Sequence, residues 1–308
     1  YKHNPFHHSI DNTRPGGLAT ARSLDGGVTW ALEDPKMAGG SGNRVLEEAL
    51  TFTGTDLAIR NEGDRFFASE DRGRNWEGPF AFTGLGEGKL SSRTDYLVNG
   101  PSEAYFFLSA DDVDSVQAIL QDRSFLARTL DGGRSFEFVA WLVDDETTRS
   151  VMSSTVRVSD EHLVSAMRRR HDPPGDFTVL PRNWIDVYES RDDGQTWQFL
   201  SKVAETDTGL RNGNPPAMVR TDDGLLVATY AYRGVPYGIR ARISNDDGAS
   251  WSEEIVLRDD ATTWDIGYCR TVIRADGQLV TIYYFASEER PEQHIAATIW
   301  DPRNHAAQ

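Results

Sequence analysis

Five copies of one short pattern punctuate this chain, and their recurrence constrains the fold more than any other feature. They run Ser23-Leu-Asp25-Gly-Gly27-Val-Thr29-Trp30, Ser69-Glu-Asp71-Arg-Gly73-Arg-Asn75-Trp76, Thr129-Leu-Asp131-Gly-Gly133-Arg-Ser135-Phe136, Ser190-Arg-Asp192-Asp-Gly194-Gln-Thr196-Trp197 and Ser244-Asn-Asp246-Asp-Gly248-Ala-Ser250-Trp251. The aspartates are 46, 60, 61 and 54 residues apart. A motif returning at that period is the signature of a solenoid, a propeller or an array.

Each copy has the chemistry of a hairpin turn. An aspartate can accept backbone N–H groups a little further on and close a turn. The glycine supplies the positive φ that a tight turn requires. The final aromatic opens the next strand and can bury a large apolar area. Strand-like runs flank the copies, as in Leu18–Arg22, Asp186–Glu189 and Gly238–Ile243.

The pattern [Ser/Thr]-x-Asp-x-Gly-x-[Ser/Thr/Asn]-[Trp/Phe] resembles the Asp-box, or BNR, repeat of the sialidase superfamily. The resemblance covers essentially the whole chain. It implies an all-β fold, a six-bladed β-propeller of sialidase type, with each repeat at the turn between the third and fourth strands of a blade. Fold alone does not settle activity, because one architecture hosts many chemistries.

Composition narrows the partners. The chain has 308 residues, 38% hydrophobic content and eight tryptophans, enough for one large all-β domain. Its net charge of −16 argues against nucleic acid and anionic membrane surfaces as partners. An acidic shell can still hold a local arginine cluster, so a glycan or acidic sugar substrate stays open. The single cysteine, Cys269, excludes an internal disulfide and a cysteine-based zinc site. Nothing calls for a cofactor or a metal; His3, His7 and His8 near the start lack a matching ligand cluster. No apolar run reaches the ~18 residues of a membrane span. The chain begins at Tyr1 without a signal-like segment, which leaves the compartment open, with a secreted or periplasmic location favoured.

Between the repeats runs a second pattern: an alternating strand, an Asp-Gly-like turn and another strand, as in Ala217–Tyr230, Thr271–Tyr284 and Ser154–Met167. A hairpin plus the strands around a repeat makes four strands per unit. One propeller domain over 1–308 is therefore expected, with blades near 1–42, 43–90, 91–150, 151–210, 211–262 and 263–302. Only 22 residues precede the first repeat, too few for a full inner hairpin. The first blade is expected to be incomplete, with natural N-terminal sequence missing.

In a propeller the inner strands converge on a central channel. Positions that open first strands or close second strands give Glu47 and Glu48; Arg93, Asp95 and Tyr96; Ser153 and Ser154 with Arg168–Arg170; Asn212 and Asn214 with Tyr232 and Arg233; and Asp265, Tyr268 and Arg270. Guanidinium groups bind a carboxylate bidentately. Two readings stand side by side: an anion pocket, or arginines paired with neighbouring aspartates and glutamates. Trp184, Tyr232, Tyr237, Trp264 and Tyr284 are either sugar-stacking faces or core.

The resemblance implies roles for some of these residues. Sialidases hold the substrate carboxylate with an arginine triad and use a tyrosine nucleophile activated by a glutamate, with an aspartate as general acid. Tyr268 matches the tyrosine, Arg168 and Arg233 match two of the arginines, and Asp11 is a loose match for the acid. Arg93, Asp95 and Arg270 join the expected substrate-binding set. Met152-Ser153-Ser154 stands where the activating glutamate should be, so Glu48 or Asp265 would have to serve from another blade. The superfamily also includes polysaccharide lyases, in which a histidine can move the proton; His171, next to Arg168–Arg170, is the candidate. The leading expectation is an exo-glycosidase removing an acidic, sialic-acid-like sugar. The alternatives are a lyase on a uronate polysaccharide and a non-catalytic glycan-binding propeller.

Overall fold

The computed structural model describes residues 20–37, 42–86, 90–110, 122–145, 147–173, 179–209 and 212–305. Strands β1 (Thr20–Arg22) and β2 (Ala31–Glu33) form a two-stranded ribbon. The second sheet contains β3 (Lys36–Met37), β4 (Ala58–Glu62), β5 (Arg65–Ser69) and β6 (Asn75–Ala81), in the order β3-β6-β5-β4. The third contains β7 (Leu90–Ser91), β8 (Tyr96–Val98), β9 (Ala104–Ala110), β10 (Arg123–Thr129) and β11 (Glu137–Trp141). The fourth is a meander of β12 (Arg149–Arg157), β13 (Leu163–His171), β14 (Arg182–Ser190) and β15 (Gln198–Glu205). The fifth is a meander of β16 (Ala217–Arg220), β17 (Leu226–Tyr232), β18 (Gly238–Ser244) and β19 (Ile255–Arg258). The last has three strands, β20 (Gly267–Ile273), β21 (Leu279–Phe285) and β22 (His294–Trp300).

The fold is an all-β propeller. The blade count is corrected: where six are expected, the described residues form five blades of three to five strands and the β1–β2 ribbon. The expected lack of inner strands in the first blade concerns residues before Thr20, which lie outside the described residues. One pairing was not anticipated. β3 runs parallel to β6 and edges the second sheet, although it directly follows the ribbon in sequence.

The repeats close turns as their chemistry dictates. In the fourth, the Asp192 carboxylate accepts the Thr196 N–H at 2.9 Å and hydroxyl at 2.6 Å, while Ser190 Oγ accepts the Gly194 N–H at 2.8 Å. These turns join β10 to β11, β14 to β15 and β18 to β19, the third and fourth strands of their blades. Buried side chains between sheets form the core. Phe66, Phe82, Phe106 and Phe136 interlock edge-on between the second and third sheets, and Val164, Ile185, Met218 and Tyr230 pack between the fourth and fifth.

Candidate active site

β20 begins with a distorted turn that places Tyr268. Gly267 has φ of +111° and Tyr268 of 53°, and the ladder to β21 slips between Gly267 and Arg270. A left-handed tyrosine is strained, and such strain persists only where its surroundings enforce it. Asn214, fully buried in front of β16, enforces it here. Its Oδ1 accepts the Tyr268 N–H at 3.1 Å, and its Nδ2 donates to the Ile266 carbonyl at 3.0 Å. A Cβ on Gly267 would lie 2.4 Å from Asn214 Nδ2 and 2.5 Å from the Ala231 methyl, so the position requires glycine.

Four arginines gather around this tyrosine. The Arg93 and Arg233 guanidinium groups lie 5.7 and 5.8 Å from the centre of its ring. Arg93 donates to the Pro216 carbonyl at 3.2 Å and to the Cys269 carbonyl. Arg233 donates to the Ile266 carbonyl at 3.0 Å, the Asn212 carbonyl at 3.0 Å and the Tyr284 hydroxyl at 2.5 Å, with Asp265 at 3.6 Å. Arg270, exposed at the opening, donates to the Thr94 carbonyl at 2.7 Å. Burial, with the Arg270 charge second, pulls Arg93 down to about 9.

Arg168 differs from the others. It is 4% exposed, its Nε is buried without an acceptor, and no hydrogen bond or ion pair reaches its guanidinium among the described residues. Burial lowers it to about 10; the charges of Arg149, Arg233 and Arg170 add to that, while the Tyr268 phenol acts the other way. Arg149 and Arg170 each have a carboxylate, Asp122 and Asp172, both at 2.6 Å. A desolvated cation with no counter-charge is costly, and an anion arriving beside it removes that cost.

The carboxylates are placed otherwise than expected. Asp95 accepts Ser153 Oγ at 2.9 Å, Thr155 Oγ1 at 3.0 Å and the Thr155 N–H at 3.2 Å, so it braces the middle of β12, just past its slip in register. Burial pushes its pKa up, against the pull of those hydrogen bonds. Asp265, fully buried, accepts the Tyr284 hydroxyl at 2.7 Å, and the Tyr284 ring lies 6.0 Å from that of Tyr268. Glu48 is exposed in a hollow with Asp71, Asn75 and Glu77, beside the turn of the second repeat, and no described contact joins it to Tyr268. Asp11 lies outside the described residues. Among the described residues, the Tyr268 hydroxyl has no hydrogen-bond partner, and no carboxylate stands in for the missing glutamate. His171 ends β13 opposite Arg182, and no described contact joins it to Tyr268.

A cavity of about 450 Å³ opens beside the tyrosine, with Tyr268, Arg270, Ile282, Tyr284, His294 and Ile295 on its walls. Among the described residues, no group of three His, Cys, Asp or Glu side chains is placed to hold a metal. The sequence reading put Asn214 among the central positions without seeing that it fixes the tyrosine; the one local signal was Gly267 directly before Tyr268.

No protein-family model matches the chain, and no curated protein does. Solved structures do. A protein of unknown function from Dyadobacter fermentans superposes with a TM-score of 0.61 at 25% identity, over 77% of this chain. This chain spans 63% of that protein's length. An α-L-arabinofuranosidase from Fusarium graminearum gives a TM-score of 0.55 at 13% identity, over 92% of this chain and 85% of its own. A Hadza microbial sialidase gives 0.54 at 15% identity, over 91% of this chain and 59% of its own. These likenesses establish the propeller fold.

Proposed function

We propose that this chain is a carbohydrate-active enzyme of the sialidase superfamily, an exo-glycosidase whose site takes an acidic sugar. The observation that carries the reading is Arg168, a buried guanidinium with no anionic partner among the described residues, beside a tyrosine whose hydroxyl none of them engages. The fold is one that named glycosidases share, among them the sialidase and the arabinofuranosidase above. Arg168 would take the sugar's carboxylate as a charge-assisted pair, with Arg270 at the opening as a second contact. Arg93 and Arg233 spend hydrogen bonds on backbone carbonyls and would act by position, holding positive charge against the Tyr268 ring. The Tyr268 hydroxyl would meet the anomeric carbon, as nucleophile or as the group that steadies developing positive charge. Asp11 is the candidate proton donor to the leaving oxygen.

The β1–β2 ribbon would be the outer half of a sixth blade. A Cβ on Gly27, in the first repeat, would lie 2.9 Å from Val280 of β21; one on Gly248, in the fifth, would lie 3.4 Å from Val164 of β13. Val280 and Val164 hold the same place on the second strand of their sheets. These two approaches support a ribbon that would follow the last sheet as the fifth follows the fourth.

One observation favours a second reading. A tyrosine without a carboxylate partner among the described residues lacks the activation expected of a nucleophile, and this suits a lyase on a uronate glycan, where an arginine-neutralised carboxylate eases loss of the neighbouring proton. Product analysis separates the two on sialylated and uronate-containing oligosaccharides. Hydrolysis releases a reducing acidic sugar, and elimination releases an unsaturated uronate that absorbs in the ultraviolet. Neither product from any acidic glycan would leave only a binding propeller. Under either enzyme reading, Arg168→Met should lower kcat/KM by the equivalent of about 2–4 kcal/mol.

A further inference from the structure

Among the described residues, two left-handed side-chain-bearing residues lie outside the repeats' turns. Five non-glycine residues among those described have positive φ: Arg72, Asp193 and Asp247, each in the turn of a repeat, and then Met152 at 57° and Tyr268 at 53°. The last two occupy the same place in two different blades. In the fourth sheet Val151 pairs with Arg168 and Ser154 with Ala166, and the ladder slips between them. In the last sheet Gly267 pairs with Tyr284 and Arg270 with Ile282, and the ladder slips in the same way. Met152 is thus the counterpart of Tyr268.

Both distortions are also braced from the preceding blade. Asp95, ahead of β8, holds Ser153 and Thr155 by their hydroxyls and the Thr155 N–H. Asn214, ahead of β16, holds Tyr268 and Ile266 by their backbones. A strained methionine has no local reason to exist, since glycine adopts the same backbone without cost. Nor does packing account for it: Met152 is half-buried and belongs to none of the apolar clusters between the sheets. A strained, braced conformation that the core does not use points to a ligand.

We infer that Met152 faces the substrate across the axis from Tyr268 and is a specificity-determining residue, giving the pocket one apolar, polarizable wall on the fourth blade. The sugar it fits turns its anionic edge to Arg168 and an apolar C–H face or alkyl substituent to the thioether, which adapts readily to such surfaces. This rests on the acidic-sugar reading above.

The test uses the full chain and three probes, N-acetylneuraminic acid, D-glucuronic acid and D-galacturonic acid, titrated calorimetrically, with Tm measured in parallel. Met152→Gly should leave Tm unchanged or higher and weaken the bound probe roughly tenfold, the scale of a lost apolar pocket contact. Met152→Leu, which keeps an apolar side chain, should bind closer to the unmodified protein than Met152→Gly does. Unchanged affinity in Met152→Gly, with binding lost in Arg168→Met, would overturn the role of Met152 and keep the anion pocket. A Tm lowered by several degrees in Met152→Gly would show a packing residue and also overturn it. No binding of any probe by the unmodified protein would overturn the acidic-sugar reading itself, and this inference with it.

Discussion

Asn214, at the entrance to one blade, carries the backbone of Tyr268, at the entrance to the next: one side-chain amide accepts the Tyr268 N–H at 3.1 Å and donates to the Ile266 carbonyl at 3.0 Å. The Ile266 carbonyl also accepts from Arg233, at 3.0 Å, but for the Tyr268 N–H Asn214 is the acceptor among the described residues. Asn214→Ala should cost about 1–3 kcal/mol in denaturant unfolding, the cost of leaving the Tyr268 N–H unpaired. Asn214→Asp keeps the acceptor and loses the donor. It should fold, yet turn over more slowly at little-changed KM, since the hydroxyl is misaimed while the arginines remain. Wild-type stability in the alanine variant, or wild-type kcat in the aspartate variant, would show that the tyrosine is held by something else.

The repeats were legible because their chemistry is local. Asp192 reaches only four residues along, to Thr196, so sequence and geometry carry the same information. The arginines were legible as a group, because central positions of a propeller can be inferred from strand order. What each arginine does was not. Arg233 and Arg168 look alike in sequence, but one is tied to carbonyls 21 and 33 residues away and the other to no acceptor among the described residues. The surroundings of the carboxylates were hidden for the same reason. Asp95 is spent on hydroxyls 58 and 60 residues on, and Glu48 is turned to the repeat side of its blade. The blade count was lost at β3, which leaves the ribbon and pairs with β6, a parallel step that no alternation pattern encodes.

The aromatic that ends each repeat should matter according to how deeply it packs. Trp251 lies against the cluster of Val164, Met218 and Leu226, and its Nε1–H donates to Ser201 Oγ at 3.0 Å. Trp197 meets Phe107 edge-on, with ring centres 6.3 Å apart. Trp30, in the ribbon, is 42% exposed. Trp251→Ala and Trp197→Ala should each destabilise by about 3 kcal/mol, the low end for a large buried aromatic. Trp30→Ala should cost about 1 kcal/mol or less. Equal losses at all three sites would mean that the ribbon is packed as deeply as the other blades.

Acid should unfold the protein through the same repeats. The Asp71 carboxyl is held at about 2 by the Asn75 N–H and then by the Asn75 side-chain amide, and Asp25, Asp131, Asp192 and Asp246 are all held below the ordinary value. The unfolded chain, with carboxyls near 3.9, binds protons first as pH falls. The stabilisation is therefore complete above about pH 4 and is lost as pH falls toward 2. Asp71→Asn should be less stable at neutral pH and lose less on acidification. Parallel stability–pH curves for the two proteins would remove the Asp71 carboxylate from the account.

Tyr268→Phe separates chemistry from binding. The ring remains, so the Arg93 and Arg233 charges keep their aromatic neighbour, and Asn214 holds the same backbone N–H. Only a hydroxyl that no described residue engages is removed, so the fold should not register the change, and Tm should stay within about a degree. Ground-state affinity, set by Arg168, should be nearly unaltered. If the hydroxyl attacks or steadies the reacting carbon, kcat should fall by at least 100-fold while KM holds, roughly 3 kcal/mol of stabilisation felt only in the transition state. Full turnover in Tyr268→Phe would leave the anion pocket standing and remove the tyrosine from the reaction. The proton-moving group would then have to be sought elsewhere, with His171 the first residue to change.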